Sequence, residues 1–194
     1  MWPPVFLTSM SDLKPLQRKA EHSFNAFFEK YKEDMACAQG CSRCCVGGLS
    51  VFAWEAAIIT DWFHALSPEQ KAAWKERQEV PSSQNQPFIN SDGDEDRPCA
   101  FLRGDSCSIY EARPSLCRTQ GMALSLKSEQ GERLRDWCPL NFSTSEPQAQ
   151  DDLNLDQLNA MLSQAQLIHE RENPEALGPL RVDLSDLRDY LLRC

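Results

Sequence analysis

The 194-residue chain contains no apolar run of about 18 residues, the length that a membrane-crossing helix needs. Near its N-terminus the longest apolar run is Val5 to Leu7, with no basic residue before it, so no secretory leader is legible. No membrane partner is expected, and the cytoplasm is the expected location. A basic patch is missing too. Lys and Arg number 20 against 29 Asp and Glu, a net charge of −9, and a chain this acidic repels phosphate backbones. No nucleic-acid partner is expected. The sequence also lacks an internal repeat, a Gly-rich phosphate loop, a serine nucleophile elbow and a helix with two His at metal spacing, so it names no catalytic residue.

What it has is cysteine. Nine in 194 residues is below the roughly 8–10% of disulfide-built secreted chains, and a chain of this length can bury a core without covalent staples. Four fall within nine residues, Cys37, Cys41, Cys44 and Cys45, and four more follow at Cys99, Cys107, Cys117 and Cys138, with Cys194 as a terminal spare. In a reducing cytosol, thiols held close together bind metal or do redox chemistry. An odd total and the missing export signal argue against a disulfide framework.

The fold class expected is mainly α: amphipathic helices packing a small irregular cysteine-rich metal-binding centre with a short hairpin or strand. From Ser11 to Met35, apolar residues at Leu16, Ala20, Phe24, Phe27, Phe28, Tyr31 and Met35 share one helical face and lead into the first cysteines. Gly40, Gly47 and Gly48 then mark a turn-rich segment. A second helix is read over Ala53 to Leu66. Ser67, Pro68 and Gln70 read as N-cap, first-turn proline and capping box of a third, running to about Glu79. Val80 to Pro98, rich in Pro, Ser and Asp, reads as a mobile surface loop. Cys99 to Tyr110 suits a hairpin or knuckle, Pro114 opens a short helix carrying Cys117, and Met122, Leu124 and Leu126 alternate as in a strand. After a Ser143 to Asp152 linker, stripes at Leu155 to Ile168 and Leu184 to Leu191 mark two last helices. Two domains are expected: a cysteine-cluster metal-binding domain over 11–142 and a C-terminal helical appendage over 151–194 packed on it.

Spacings of three and two residues between Cys37, Cys41 and Cys44 let one short loop wrap a metal centre, and thiolates select zinc or iron–sulfur over magnesium or calcium. Cys44 and Cys45 project in different directions, so one of them suits a second site or a cluster edge. Cys99, Cys107, Cys117 and Cys138 are too widely spaced for local chelation, and only the fold can gather them. Eight thiolates could build two four-cysteine zinc sites, a cubane cluster with extra thiols, or a cluster and a zinc. The three-then-two spacing also matches radical SAM loops, but the alternating strands and helices on which those loops are mounted are not read here.

Cys37-x3-Cys41-x2-Cys44-Cys45, then Cys99-Ala100-Phe101-Leu102, then Cys107-Ser108-Ile109-Tyr110-Glu111-Ala112-Arg113-Pro114-Ser115-Leu116-Cys117-Arg118 resembles the bacterial YkgJ-like or CxxCxxCC cysteine-cluster proteins, described as zinc- or iron-chelating domains. The resemblance spans roughly Met35 to Cys138. It implies metal chelation by Cys37, Cys41, Cys44, Cys45, Cys99, Cys107, Cys117 and Cys138, often as an iron–sulfur protein. A distant similarity of that family to flagellin lysine methylases raises methyl transfer as one chemistry. Residues 66–98 and the helical C-terminus depart from the compact members.

Arg113 and Arg118 flank Cys117 and are candidates for the cofactor's surroundings, since positive charge beside sulfur favours the thiolate; Arg113 could instead pair with Glu111. Ile109 and Tyr110 read as packing residues and Trp137 as an apolar lid beside Cys138. His22, His64 and His169 read as surface or packing residues. The expected function is a cytosolic protein chelating an iron–sulfur cluster, preferred, or zinc. The alternatives are an iron–sulfur enzyme of electron or methyl transfer, and a zinc-stabilised module whose helices or acidic face dock a protein partner.

Overall fold

A computed structural model describes residues 13–82, 88–89, 95–174 and 179–194. Its helices are α1 (Leu13–Tyr31), α2 (Ala53–Ala65), α3 (Pro68–Arg77), α4 (Ser115–Thr119), α5 (Leu155–Glu172) and α6 (Leu184–Arg193). The strands are short: β1 (Ser50–Phe52), β2 (Phe88–Ile89), β3 (Glu95–Asp96), β4 (Leu102–Arg103), β5 (Ser106–Cys107), β6 (Leu124–Lys127), β7 (Arg133–Asp136), β8 (Leu153–Asn154) and β9 (Arg181–Asp183). Among the described residues, helices thus carry most of the regular structure. Two compact units divide the chain, Met1–Cys37 with Ser115–Leu177, and Ala38–Pro114 with Gly178–Cys194.

In the first unit, α1 buries Leu16, Ala20 and Phe27 on the face that the periodicity predicts, and it packs against α4. The start of the expected helix, at Ser11, lies outside the described residues, and the helix ends at Tyr31 rather than Met35. There the chain turns, the Asp34 amide donating to the Tyr31 carbonyl (2.9 Å). Helix α5 is capped by Asn154, whose side chain accepts from the Gln157 amide (2.9 Å), and it buries Leu158, Met161, Leu162, Ala165 and Ile168. A three-stranded sheet in the order β7-β6-β8 pairs β6 antiparallel to β7 and parallel to β8. The apolar alternation read over Met122, Leu124 and Leu126 does not set this strand's inner face. Ser125 is the buried residue of β6, its Oγ accepting from Arg133 Nη2 (3.1 Å), while Leu124 and Leu126 are only half-buried.

The second unit is built on an apolar cluster of Val51, Ile59, Phe63, Trp74, Phe101, Ile109, Leu184, Leu187 and Leu191. Each large side chain withdrawn from water there contributes roughly 1.5–3 kcal/mol. Antiparallel pairing of β1 with β9 joins residues far apart in sequence, and the Leu184 amide extends it by donating to the Leu49 carbonyl (3.0 Å). Helix α3 starts with the capping box read from sequence, Ser67 Oγ accepting from the Gln70 amide (3.3 Å) and Gln70 Oε1 from the Ser67 amide (2.8 Å). Its one buried side chain, Trp74, packs edge-on against Phe63 and donates from Nε1 to the Ser108 carbonyl (2.9 Å). Of the expected loop over 80–98, residues 83–87 and 90–94 lie outside the described residues, and β2 pairs with β3.

Candidate metal centre

In the second unit, two turns shape the chain before the paired cysteines: the Cys41 amide donates to the Ala38 carbonyl (3.0 Å) and the Cys45 amide to that of Ser42 (2.8 Å). Residues 45–47 then run antiparallel to 97–99. The Cys99 amide donates to the Cys45 carbonyl (2.8 Å), Val46 bridges Pro98, and the Gly47 amide donates to the Arg97 carbonyl. Only glycine permits that last approach, because a Cβ at position 47 would come within 2.9 Å of the Arg97 carbonyl oxygen. This pairing sets the backbone of Cys45 beside that of Cys99.

A turn closed by the Leu102 amide on the Cys99 carbonyl (3.0 Å) leads into the β4–β5 hairpin, where Cys107 lies opposite Leu102. The knuckle expected over Cys99 to Tyr110 is therefore a hairpin, and its paired residues are 102–103 with 106–107. Cys99 and Cys107 are half-buried against the apolar cluster, whereas Cys41 and Cys44 are exposed.

The thiols of this unit influence one another. Cys45 donates a hydrogen bond to Cys44, which, with the Cys44 backbone amide adding to it, brings Cys44 down to about 7. The same bond is the largest effect holding the Cys45 thiol far above its ordinary range; burial and the charges of Cys44, Cys99 and Cys107 add to it. Burial pushes Cys107 up to about 11, opposed by the Ile109 amide and by the charge of Arg113. Burial also raises Cys99, opposed by the amides of Phe101 and Leu102 and by Arg103. Backbone N–H groups aimed at sulfur favour thiolate, the form that ligates metal.

The first unit holds Cys37, Cys117 and Cys138, and it treats sulfur differently. Asn141, fully buried, donates from Nδ2 to Cys37 Sγ (3.4 Å) and to the Gly121 carbonyl (2.9 Å), while its Oδ1 accepts from the Ala36 amide (2.9 Å). Its own amide donates to the Cys138 carbonyl (2.9 Å). Gly121 has φ +94°, and a Cβ there would lie 2.6 Å from Cys37 Sγ. Cys117 is half-buried on α4. Neither Asn141 nor Gly121 is singled out by the sequence. Only the placement of Asn141 three residues after Cys138 could have drawn attention to it.

The two arginines flanking Cys117 in sequence have separate surroundings. Arg113, in the second unit, lies 3.8 Å over the Tyr110 ring, donates from Nη1 to the Tyr110 carbonyl (3.3 Å), and acts on Cys107. Arg118, in the first unit, is buried and forms an ion pair with Glu21 of α1. Ile109 is buried as expected, but Tyr110 is 61% exposed, with Arg113 over one face of its ring. Trp137 packs edge-on against Phe142, with Arg135 over its ring. His22 and His64 are exposed and His169 is buried. Cys194 is exposed, its Sγ bonded to the Tyr190 carbonyl.

None of the nine cysteines forms a disulfide, and among the described residues no three His, Cys, Asp or Glu side chains stand together at metal-holding geometry. The fit to a metal therefore lies in the donor chemistry. Cys44, Cys99 and Cys107 of the second unit all act on Cys45, and backbone amide N–H groups are aimed at Cys44, Cys99 and Cys107. Thiolates drawn closer without a cation repel, so closing such a set depends on the ion that it binds.

Mainly helical structure with a thiol-rich, soft-metal donor set defines a class of cysteine-cluster metal chelators. The chain belongs to the CxxCxxCC family, described as a "putative zinc- or iron-chelating domain", whose family model matches residues 36–139. That span covers a little over half of the chain and takes in all eight clustered cysteines. No curated protein and no solved structure matches the chain.

Proposed function

We propose that this protein chelates a single kind of soft-metal centre, an iron–sulfur cluster in preference to zinc, in the reducing interior of the cell. The proposed ligands are Cys41, Cys44, Cys45, Cys99 and Cys107 in the second unit and Cys37, Cys117 and Cys138 in the first. Arg113 offsets the negative charge that thiolates bring. The observation that carries this reading is the backbone pairing of residues 45–47 with 97–99, in which Gly47 has no substitute and which sets Cys45 beside Cys99 inside the span that the family model matches. Bound there, the metal supplies a tie between the 38–45 loop and the β4–β5 hairpin, two short irregular segments with little apolar surface of their own.

The test is anaerobic purification followed by an absorption spectrum, elemental analysis and an acid-labile sulfide assay. Iron with sulfide and visible absorption supports the cluster, and colourless protein with stoichiometric zinc supports zinc. Protein holding neither, with folding indifferent to chelators, overturns the proposal. Replacing Cys99 or Cys107 by serine is expected to lower metal content several-fold, whereas replacing the terminal Cys194 leaves it unchanged.

A further inference from the structure

Three arginines of the second unit converge on one surface. A cleft of about 360 Å³ is lined by Arg97, Arg103 and Arg188 together with Ser82 and Cys99. An adjoining cleft of about 310 Å³ shares Arg97, Cys99 and Arg188 with it and reaches Asp183, where α6 begins. Three guanidiniums against one lining carboxylate is a local excess of positive charge in a chain whose net charge is −9.

That one carboxylate is already engaged, since Asp183 Oδ1 accepts from the amide and the hydroxyl of Ser185 (both 2.7 Å). Arg103 is fixed in place, donating from Nε to the Gln78 carbonyl (2.9 Å) and from Nη1 to the Leu102 carbonyl (2.6 Å). Arg188 is held by its neighbour Asp189 (2.5 Å). Among the described residues no carboxylate forms an ion pair with Arg97 or Arg103, whereas Arg118, Arg133 and Arg135 are each paired with an acid.

We propose that this arginine-lined cleft binds a small oxyanion, a phosphate or carboxylate group on a compact molecule. Guanidinium is the side chain suited to these groups, because its planar fork donates two parallel hydrogen bonds to two oxygens. The volume is at the small end of small-molecule sites, and the chain's net charge of −9 disfavours a polyanion. Burial, and after it the like charge of Arg188, holds the Arg103 guanidinium below its ordinary value, a strain that an anion between the two relieves. The site rests on the cleft and its arginines and stands whether or not a metal is bound, although Cys99 lines both clefts and sets the anion beside a thiol.

Calorimetric titration of the full-length protein with inorganic phosphate, and separately with acetate, at ionic strength fixed with chloride, tests the site. Saturable one-site binding, weakened at least tenfold in both Arg188→Gln and Arg97→Gln and unchanged in the control Arg171→Gln, in the first unit, supports it. Arg97 is exposed and its bond to Gly47 runs through its backbone carbonyl, which the substitution leaves in place, so its variant serves even if Arg188→Gln is unstable. Phosphate alone binding assigns a phosphate group, and binding of both ligands assigns the broader carboxylate-accepting site. Heat that never saturates, binding that ignores both substitutions, or binding that disappears with metal content while the arginines are intact overturns the proposal.

Discussion

The two units use cysteine in opposite ways. In the second, backbone pairing and a hairpin bring thiols under one another's charge: Cys45 beside Cys99, and Cys107 on the strand opposite Leu102. In the first, Cys37 is held by an amide and a glycine, its sulfur accepting from Asn141 and filling the space a side chain at Gly121 would need. Their scaffolds differ as well. The second unit rests on a packed cluster of aromatic and aliphatic side chains, while the first adds to its helical core a set of buried polar ties, Arg118 to Glu21 and Arg135 to Asp152. One family signature therefore covers cysteines in two physical settings, and thiol count alone does not identify which sulfurs act together.

The contrast is broken most directly at Phe101, which is fully buried, two residues after Cys99, with its ring 6.5 Å from that of Trp74. Phe101→Ala removes a large side chain from the cluster that supports the hairpin and is expected to cost about 3–5 kcal/mol in urea denaturation. Metal content is expected to fall with it. A cost below about 1 kcal/mol would mean that the second unit is not held by its apolar cluster.

Gly121→Ala is the counterpart in the first unit. Its φ of +94° disfavours any side chain, and the new methyl overlaps Cys37 Sγ. Backbone strain and overpacking together are expected to cost about 3 kcal/mol. Adding Cys37→Ala relieves the overlap but not the strained φ, so the double variant is expected to recover part of the loss. Failure of any recovery would show that the sulfur is not what occupies that space.

Much of the second unit was legible because its signals are local. The capping box at Ser67 and Gln70, the apolar stripes of α2 and α6, and the hairpin turn after Cys99 are each set by residues within a few positions of one another. What escaped depends on residues far apart. Nothing near Ser50 announces its pairing with Asp183, and nothing in β6 announces that Ser125, bonded to Arg133, is its buried residue. Arg113 and Arg118 read alike beside Cys117, yet one stacks on Tyr110 while the other goes to Glu21, nearly 100 residues away in sequence. The cysteine spacing gave the donor chemistry. It could not give the Asn141 and Gly121 cradle of Cys37, because a buried asparagine and a left-handed glycine carry no metal-ligand signal.

Asp152 sharpens the polar side of the contrast. Its carboxylate is fully buried and accepts from Arg135 Nε (2.7 Å) and Nη2 (2.8 Å), with Arg133 Nη2 at 3.4 Å. Asp152→Asn keeps the shape but removes the charge and one acceptor, leaving the Arg135 fork half-satisfied. The expected cost is about 2 kcal/mol, measured by denaturation at neutral pH. Because the pair is buried on one side, added salt is expected to recover little of it. An equal loss in salt-free wild type on adding salt would instead mark the tie as a surface contact.

The smallest effect is expected at Asp151, where Lys30 Nζ and the Tyr31 hydroxyl both donate to Oδ2 (2.5 Å each). Burial alone would raise this carboxyl, but the two hydrogen bonds and the Lys30 charge overcome it and hold it below its ordinary 3.8. Lys30 is raised above its ordinary 10.5, first by the hydrogen bond to Asp151. A carboxyl depressed on folding stabilises fully above its unfolded value and loses that contribution as pH falls through the folded one. An amine raised on folding stabilises fully below its unfolded value and loses the contribution as pH rises through the folded one. The tie is therefore complete between about pH 5 and 9 and weakens at both ends. Comparing denaturation midpoints of wild type and Asp151→Asn across that range should show their largest gap in the middle, narrowing below pH 4 and above pH 10. A gap that stayed constant with pH would mean that Asp151 contributes shape and not charge, and the first unit's polar ties would then reduce to the buried ones alone.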